Sequence, residues 1–311
     1  MPTFAITGSS GFLGRHLIPA CLSGGFKLKL LVRNREDYKS LSNDNVTICE
    51  GDLLVPGSLR GFLEPDSTLI HLAYIHNDAS ANIKATANLI EAVKQSSVKR
   101  VVHCSSAVVV GFKASGVITE DIAPSPKGEY QKTKYQIEGM LCTGLQPNVE
   151  LAILRPTEII GLGGQGLQKT IQRLKDGKSF KNFIYRSILK YRRCNYVSVY
   201  NVVAALILLA STPIKQMGQI YNISDDDDSD NNYAAVEKII NSGLKHESRY
   251  VLDFGLPAPI LSFLFRLLPT HSPSDRIYSH FKISSLGYRK VETLNSAISE
   301  ILSKEAANAH S

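Results

Sequence analysis

The chain has 311 residues, of which 43% are hydrophobic and 20% are charged. This composition is too apolar for a disordered protein, and no stretch approaches the roughly 20 uncharged apolar residues of a membrane span. The apolar segment 251–269 is interrupted by Asp253, Arg266 and two prolines, so we interpret it as a packing segment. Because single cores usually stop growing near about 250 residues, we expect one large domain and a smaller lobe.

The charge balance, 35 basic against 28 acidic residues, leaves a net charge of +7. The basic residues are spread along the chain and are densest in 27–35 and 181–193. A mild positive excess suits either nucleic acid or a small phosphate-bearing anion. An RNA groove would need aromatic side chains among the basic ones, for which 185–186 and 191–193 are the candidates. We therefore predict a small-molecule partner and no nucleic acid.

Cysteine and histidine spacing predicts neither disulfides nor a metal site. The five cysteines form no CxxC, and the eight histidines show no ligand spacing. No leader precedes the first predicted strand, so a cytoplasmic location is expected. His71 and His103 fall inside predicted strands, where hydrogen-bonded core imidazoles are expected. The acidic run Asp225–Asp230 lacks the spacing of an EF-hand and is predicted to be a solvated loop.

Short apolar runs alternate with segments of helical periodicity, which is typical of βαβ units. The predicted strands are Thr3–Thr7, Lys27–Val32, Asn45–Glu50, Thr68–Leu72, Lys99–Ser105 and Glu150–Arg155, and the clearest helices cover Gly14–Cys21, Asn82–Ser96 and Tyr130–Leu141. The expected fold is α/β, a Rossmann-type doubly wound parallel sheet with a smaller C-terminal substrate lobe. The predicted boundaries are 1–155, with 196–224 returning to it, for the sheet domain, and 156–195 with 225–311 for the lobe.

A glycine-rich turn follows the first predicted strand and opens a helix. In it, Gly8 suits a tight turn, Gly11 a close approach of the backbone to a pyrophosphate, and Gly14 close packing of the helix on the strand. The free N–H groups at the helix start would bind the pyrophosphate. The second strand ends at Arg33, where an acidic residue would favour NAD and an arginine suits the 2′-phosphate of NADP. We therefore expect NADP, with NAD as the other possibility.

Tyr130 and Lys134 are four residues apart and share one face of a predicted helix. Proton exchange with an alcohol or ketone oxygen near neutral pH needs a phenol of lowered pKa, and we expect the neighbouring lysine to lower it. Ser106 follows the fifth predicted strand, at the sheet edge where open α/β folds bind ligands. We predict that Ser106, Tyr130 and Lys134 form the catalytic group.

With these motifs the chain resembles the extended short-chain dehydrogenase/reductases, in particular the nucleotide-sugar epimerase/dehydratase group typified by UDP-glucose 4-epimerase. The resemblance rests on Thr7–Gly14 (TGSSGFLG), Gly51–Leu53 (GDL), His71–Ala73 (HLA), Asn82–Asn88 (NIKATAN), Ser105–Gly111, Tyr130–Lys134 (YQKTK), Leu154–Pro156 (LRP), Asn195–Val202, Gly218–Ile223 and Lys282–Tyr288. It covers nearly the whole chain.

The resemblance implies a nicotinamide cofactor and a nucleotide-diphosphate sugar as substrate. The cofactor-binding residues that it implies are Gly8, Ser10, Gly11, Phe12, Leu13, Gly14, Arg33, Asp52, Leu53, Leu72, Ala73, Tyr74, Asn82, Pro156 and Thr157. Ser106, Arg192 and Arg193 are the candidate substrate contacts. A homodimer through the helices of 82–96 and 130–141 is also implied.

Departures from the family pattern reduce the number of reactions that are expected of this chain. The family's 4,6-dehydratases carry an Asp-Glu pair after the catalytic serine, whereas this chain has Ala107 and Val108, which argues against dehydration. The remaining expectation is hydride transfer at C4 of a nucleotide-linked sugar, by a 4-ketoreductase or a 4-epimerase. The segment Phe254–Pro259 resembles a subgroup that acts on surface-polysaccharide sugars.

Other classes of function stay open. One is a steroid or other hydrophobic-alcohol dehydrogenase, in which the apolar segment Ile260–Leu268 would line the pocket. Another is a cofactor-sensing regulator without turnover, although such proteins typically lose the Tyr or Lys that this chain retains as Tyr130 and Lys134.

Overall fold

The computed structural model describes residues 2–41, 43–111, 115–176, 189–190, 192–213, 218–244, 260, 263 and 275–309. Its strands are β1 (Thr3–Thr7), β2 (Lys27–Val32), β3 (Val46–Glu50), β4 (Thr68–His71), β5 (Arg100–Cys104), β6 (Val117–Ile118), β7 (Glu150–Pro156), β8 (Glu158–Ile160), β9 (Tyr196–Ser198), β10 (Gln219–Ile223) and β11 (Ile277–Tyr278). Its α-helices are α1 (Phe12–Ser23), α2 (Ala79–Lys94), α3 (Glu129–Gly144), α4 (Gln168–Lys175), α5 (Val199–Ser211), α6 (Tyr233–Gly243), α7 (Phe281–Ser285) and α8 (Leu294–Ala309).

A seven-stranded parallel sheet forms the centre of the molecule, in the order β10-β7-β5-β4-β1-β2-β3. The reversal of strand order beside β1 is the signature of a doubly wound sheet. Every residue of β4 and β5 is buried, as expected of central strands that helices cover on both faces. The predicted fold class is confirmed, and the six predicted strands match β1–β5 and β7 to within a residue at either end.

Two apolar layers join the helices to the sheet. On one face, α1 and α5 pack through residues such as Leu17 and Leu206. On the other face, α2 and α3 pack through residues such as Leu89 and Ile137. The second layer matters for the site, because α3 carries Tyr130 and Lys134.

A smaller apolar cluster joins α4, α6 and α8, which lie in the region predicted as the substrate lobe, to β9, which lies in the stretch predicted to return to the sheet domain. The sequence placed all of 225–311 in the lobe. In the structure, Ile283 and Tyr288 of that stretch are buried in the layer that covers the α1 and α5 face of the sheet. The boundaries of the two regions stay a prediction.

The acidic run is not the solvated loop that its charge predicted. Asp225 is fully buried and accepts hydrogen bonds from the Ser198 N–H at 2.9 Å and the Asn201 amide at 2.9 Å. Asp226 is also buried and accepts from the Tyr278 N–H at 2.8 Å. Each carboxylate therefore ties the loop to neighbouring segments, and only the later part of the run faces solvent.

Candidate functional site

The strand register brings the chemically important motifs to one edge of the sheet. Thr7 pairs with His71 across β1 and β4, and His71 pairs with His103 across β4 and β5. The residues that follow these three positions are the glycine turn, Leu72–Ala73 and the Ser105–Ser106 pair. Because carboxyl ends of parallel strands meet at one edge, these stretches surround a common space.

Each glycine of the turn has a distinct structural reason. Gly8 has φ +74°, and a Cβ on it would lie 2.6 Å from the backbone nitrogen of Ala73. A Cβ on Gly14 would lie 2.4 Å from the Gly8 carbonyl oxygen, so α1 packs against the turn without room for a side chain. A Cβ on Gly11 would meet only the Gly8 oxygen, at 3.2 Å. The predicted tight turn and close helix packing are confirmed.

Replacing Gly14 by alanine should distort this turn and destabilise the protein. The added methyl group overlaps backbone atoms, which cannot move as a flexible side chain could, so we expect a destabilisation of about 1–3 kcal/mol and a weaker affinity for the dinucleotide that the sequence predicts. Urea denaturation and fluorescence titration with NADPH and NADH measure the two effects. Gly139→Ala is the control, because its Cβ meets nothing within 4 Å in the middle of α3. Equal behaviour of the two variants would contradict the role given to Gly14.

A cavity of about 1030 Å³ lies against the glycine turn. Most of the predicted cofactor-binding residues line it, namely Gly8, Ser10, Gly11, Phe12, Leu13, Gly14, Arg33, Asp52, Leu53, Leu72, Ala73 and Tyr74. Within α1, which is described throughout, the first turn has no acidic residue and no side chain caps its N–H groups. The start of α1 therefore offers unpaired donors and a positive dipole end to an anion in this cavity.

Three predicted cofactor-binding residues lie elsewhere than in the cavity wall. Asn82 is buried and binds the backbone of Ile75 through both ends of its amide, at 2.9 and 2.7 Å. It holds the loop after β4, and that loop lines the cavity. Thr157 donates its N–H to the Ile223 carbonyl at 3.0 Å, and Pro156 ends β7. A motif match cannot separate a residue that touches a ligand from one that holds the loop beside it.

Sequence reasoning missed some residues of the cavity wall. Asn34, Tyr38 and His76 line it, beside Ile75 and Asp78. Asn34 directly follows Arg33 after β2, so its position in the sequence could have indicated that it lines the cavity. Tyr38 lies in the short 3-10 helix Glu36–Leu41, which carries no motif, so only the fold brings it to the cavity.

The structure brings the three predicted catalytic residues together. Ser106 lies close enough to Tyr130 to lower the pKa of its phenol, against the rise that burial causes, and Tyr130 is 43% exposed as a residue. Ser106 caps the short 3-10 helix Ala107–Val110 after β5. Lys134 is buried one turn further along α3, and its ammonium donates to the Cys104 carbonyl at 3.0 Å.

The expected lowering of the Tyr130 pKa is wrong for this structure. Burial raises the pKa of Tyr130 to about 12, and the Ser106 side chain opposes that rise. Burial also lowers the pKa of Lys134. The physical reason is desolvation, which disfavours the phenolate and the ammonium alike. At neutral pH the phenol is therefore protonated.

Two stacked histidines lie beneath this group. Their ring centroids are 5.2 Å apart, and burial lowers the pKa of His71 to about 3. His71 is hydrogen-bonded to the Thr7 hydroxyl at 2.7 Å, as expected of a core imidazole. His103 differs from the prediction, because neither of its ring nitrogens has a partner among the described residues.

The candidate substrate arginines lie outside the cavity wall. The Arg193 guanidinium donates to the Asp228 carbonyl at 3.3 Å, so it is engaged with the acidic run of its own chain. Burial raises the pKa of Glu158, and Arg192 opposes that rise, which places Arg192 near Glu158. The sequence features at 185–186, Tyr191, 254–259 and most of 260–268 lie outside the described residues.

Comparison with protein families identifies the class. Residues 4–224 match the NAD dependent epimerase/dehydratase family, and the chain belongs to that family. The matched stretch contains the glycine turn, the cavity wall, Ser106, Tyr130 and Lys134.

Individual relatives are more distant. The chain is 29% identical over 170 residues to the sterol demethylase protein B of Methylococcus capsulatus, covering 51% of this chain and 52% of that protein. It is 29% identical over 161 residues to the UDP-glucose 4-epimerase of Bacillus subtilis, covering 44% of this chain and 46% of that protein. The chain thus spans about half the length of the curated relatives it matches.

Solved structures share the fold. The Bordetella bronchiseptica enzyme WbmG in complex with NAD and UDP superposes with a TM-score of 0.72 at 17% identity, covering 99% of this chain and 96% of that one. In the described part of the chain, no helix has the length and apolar character needed to cross a membrane. The same residues contain no group of three or more His, Cys, Asp or Glu side chains arranged to hold a metal ion.

Proposed function

We propose that this protein is an NAD(P)-dependent oxidoreductase that transfers hydride at C4 of a nucleotide-linked sugar, as a 4-ketoreductase or a 4-epimerase. The observation that carries the proposal is the position of Ser106 beside the Tyr130 phenol, near a cavity built on the glycine turn. Family membership and the UDP complex of a protein with the same fold support a sugar nucleotide as the substrate.

The residues of the cavity fit a nicotinamide dinucleotide. Gly11 leaves room for close approach of a pyrophosphate to the backbone, and the uncapped first turn of α1 supplies N–H donors. Arg33 and Asn34 stand at the end of β2, where the adenosine ribose would lie. When bound, the nicotinamide supplies or accepts the hydride.

In the reductive direction, the protonated Tyr130 donates its proton to the carbonyl oxygen that becomes the hydroxyl. Ser106 hydrogen-bonds the same oxygen and holds it against the phenol. The Lys134 ammonium stabilises the negative charge that develops during proton transfer. Burial raises the pKa of Tyr130 to about 12, so the phenol carries its proton at neutral pH.

Cofactor preference is tested at Arg33. Replacing Arg33 by aspartate removes a guanidinium that would bind the 2′-phosphate and places a carboxylate beside the ribose hydroxyls. A hydrogen bond to a charged group contributes about 1.5–3 kcal/mol, so the ratio of NADPH to NADH affinity should fall by about 10–100-fold. Fluorescence titration with both cofactors measures it. Arg35→Asp is the matched control, because Arg35 is exposed and not part of the cavity wall. An unchanged ratio in Arg33→Asp would contradict the NADP preference.

The reaction itself is tested with the purified protein. Denaturing the protein and identifying any released nicotinamide by mass spectrometry distinguishes the two activities, since an epimerase keeps its cofactor and a ketoreductase exchanges it. Oxidation of NADPH with UDP- and dTDP-linked 4-keto sugars then tests reduction directly. Retained NAD with interconversion of 4-epimers would establish the epimerase. Failure to bind either cofactor would contradict the proposal.

A second candidate is reduction of a hydrophobic ketone. The relatives named sterol demethylase protein B and farnesyl-dihydroquinoline-oxide ketoreductase favour it, as does the engagement of Arg192 and Arg193 with acidic or carbonyl groups of their own chain. NADPH oxidation with a steroid ketone, measured beside the keto sugars, separates the candidates. A cytoplasmic location, a homodimer through α2 and α3 and a role in surface polysaccharides stay predictions.

A further inference from the structure

Tyr74 stands between the cavity and the catalytic residues. It lies just after β4 and lines the cavity. Its ring makes an edge-to-face contact with the ring of Tyr130, with centroids 5.2 Å apart and planes at 84°. The Lys134 ammonium lies over the face of the same ring, 4.6 Å from its centroid. One side chain therefore touches the cavity, the phenol and the lysine.

The ring of Tyr74 is itself held in place. Burial raises the pKa of Tyr74 and the nearby Thr133 side chain opposes that rise, while the Thr133 hydroxyl donates to the Glu129 carbonyl at 2.8 Å. His76 makes a further edge-to-face contact with the ring, at 5.7 Å. These contacts fix the ring against α3, so its face has a defined position relative to Lys134.

Lys134 needs compensation for its burial. It is almost fully buried, and its ammonium donates a hydrogen bond to the Cys104 carbonyl. The carboxylate nearest along α3 is Glu138, which binds Arg155 through both of its oxygens. An aromatic face attracts a desolvated cation through its quadrupole. Glu138 therefore interacts mainly with Arg155, and the ring of Tyr74 supplies a further electrostatic attraction to the Lys134 ammonium.

We propose that Tyr74 is a positioning residue, whose ring face holds the Lys134 ammonium and whose edge-to-face contact orients the Tyr130 phenol toward the substrate. This inference rests on the proposed function, in which Tyr130 donates the proton. Tyr74 itself takes no part in proton or hydride transfer. The ring stabilises the charged lysine, so removing the ring makes deprotonation of Lys134 easier.

Several other groups face Lys134 and are unchanged in the test. His71 of β4 and His103 and Cys104 of β5 interact with its charge, and Glu138 lies one turn along α3. Burial keeps both histidines neutral, so they do not titrate in the alkaline range where lysine does. Burial also raises the pKa of Cys104 to about 11.

The experiment follows the titration of Lys134 by NMR in protein labelled with ¹³C at lysine Cε, from neutral to alkaline pH. Lys134→Met assigns the resonance. In Tyr74→Leu we expect the midpoint to fall by about one pH unit, the size of a desolvated cation–π contact. Tyr74→Phe keeps the ring and should leave the midpoint unchanged. Tyr135→Leu is the matched control, because Tyr135 is exposed on the next position of α3.

The outcomes separate the inference from the proposed function. An unchanged midpoint in Tyr74→Leu would overturn the role of the ring, and an equal shift in Tyr74→Phe would assign the effect to the hydroxyl instead. The titration needs no cofactor or substrate, so it stands whether or not the protein binds NADPH. Absence of NADPH and NADH binding by the wild type would refute the function alone. If Tyr74→Leu unfolds, Tyr74→Met fills similar space without a ring and replaces it.

Discussion

Tyr130→Phe is expected to lower turnover by about 10²–10⁴-fold and to leave affinity for NADPH unchanged. In the proposed mechanism the phenol oxygen exchanges the proton, and phenylalanine lacks that oxygen. The phenylalanine ring keeps the edge-to-face contact with Tyr74, so the cavity wall stays as it is. A steady-state assay with a 4-keto sugar gives the rate, and fluorescence titration gives the NADPH affinity.

The control for this variant is Tyr135→Phe. Tyr135 lies on the same helix and is also 43% exposed, but its position is five residues beyond Tyr130. It should retain wild-type turnover. A turnover of Tyr130→Phe within a few-fold of wild type would remove Tyr130 from the mechanism, because the variant lacks the phenol oxygen that is proposed to donate the proton.

The second large effect is expected at the ion pair that joins α3 to β7. Arg155, near the end of β7, donates to both carboxylate oxygens of Glu138 on α3, at 2.9 and 2.6 Å. The two side chains are 1% and 4% exposed. Replacing Glu138 by alanine leaves a guanidinium buried without its partner, so we expect a loss of about 3–5 kcal/mol in the free energy of unfolding. Urea denaturation measures it.

A double variant distinguishes the electrostatic contribution of the ion pair from the contribution of the side-chain volume that the pair occupies. Glu138→Leu combined with Arg155→Met removes both charges and keeps apolar volume, and it should recover most of the lost stability. Glu305→Ala is a surface comparison, because Glu305 pairs with Lys175 and the Lys175 side chain is 39% exposed; the loss there should be smaller. A loss below about 1 kcal/mol in Glu138→Ala would show that the pair contributes as little as a surface salt bridge.

The local sequence was sufficient for the parallel sheet and for the glycine turn. Both depend on short-range constraints: continuous apolar runs must be covered on two faces, and a left-handed φ with no space for a Cβ requires glycine at Gly8. The spacing of Tyr130 and Lys134 likewise follows from helical periodicity. Placing Ser106 beside Tyr130 needed only the rule that strand ends share an edge.

Tertiary packing decided what local patterns could not. Burial sets the pKa of Tyr130, and the sequence shows neither the desolvation nor the displacement of Lys134 toward Cys104 and Tyr74. The sequence predicts that Asp225 is a solvated charge. It is buried instead, since Ser198 and Asn201, which are distant in sequence, donate hydrogen bonds to its carboxylate. A local pattern specifies the backbone and the residue type, whereas desolvation and partner choice depend on segments that meet only in the folded chain.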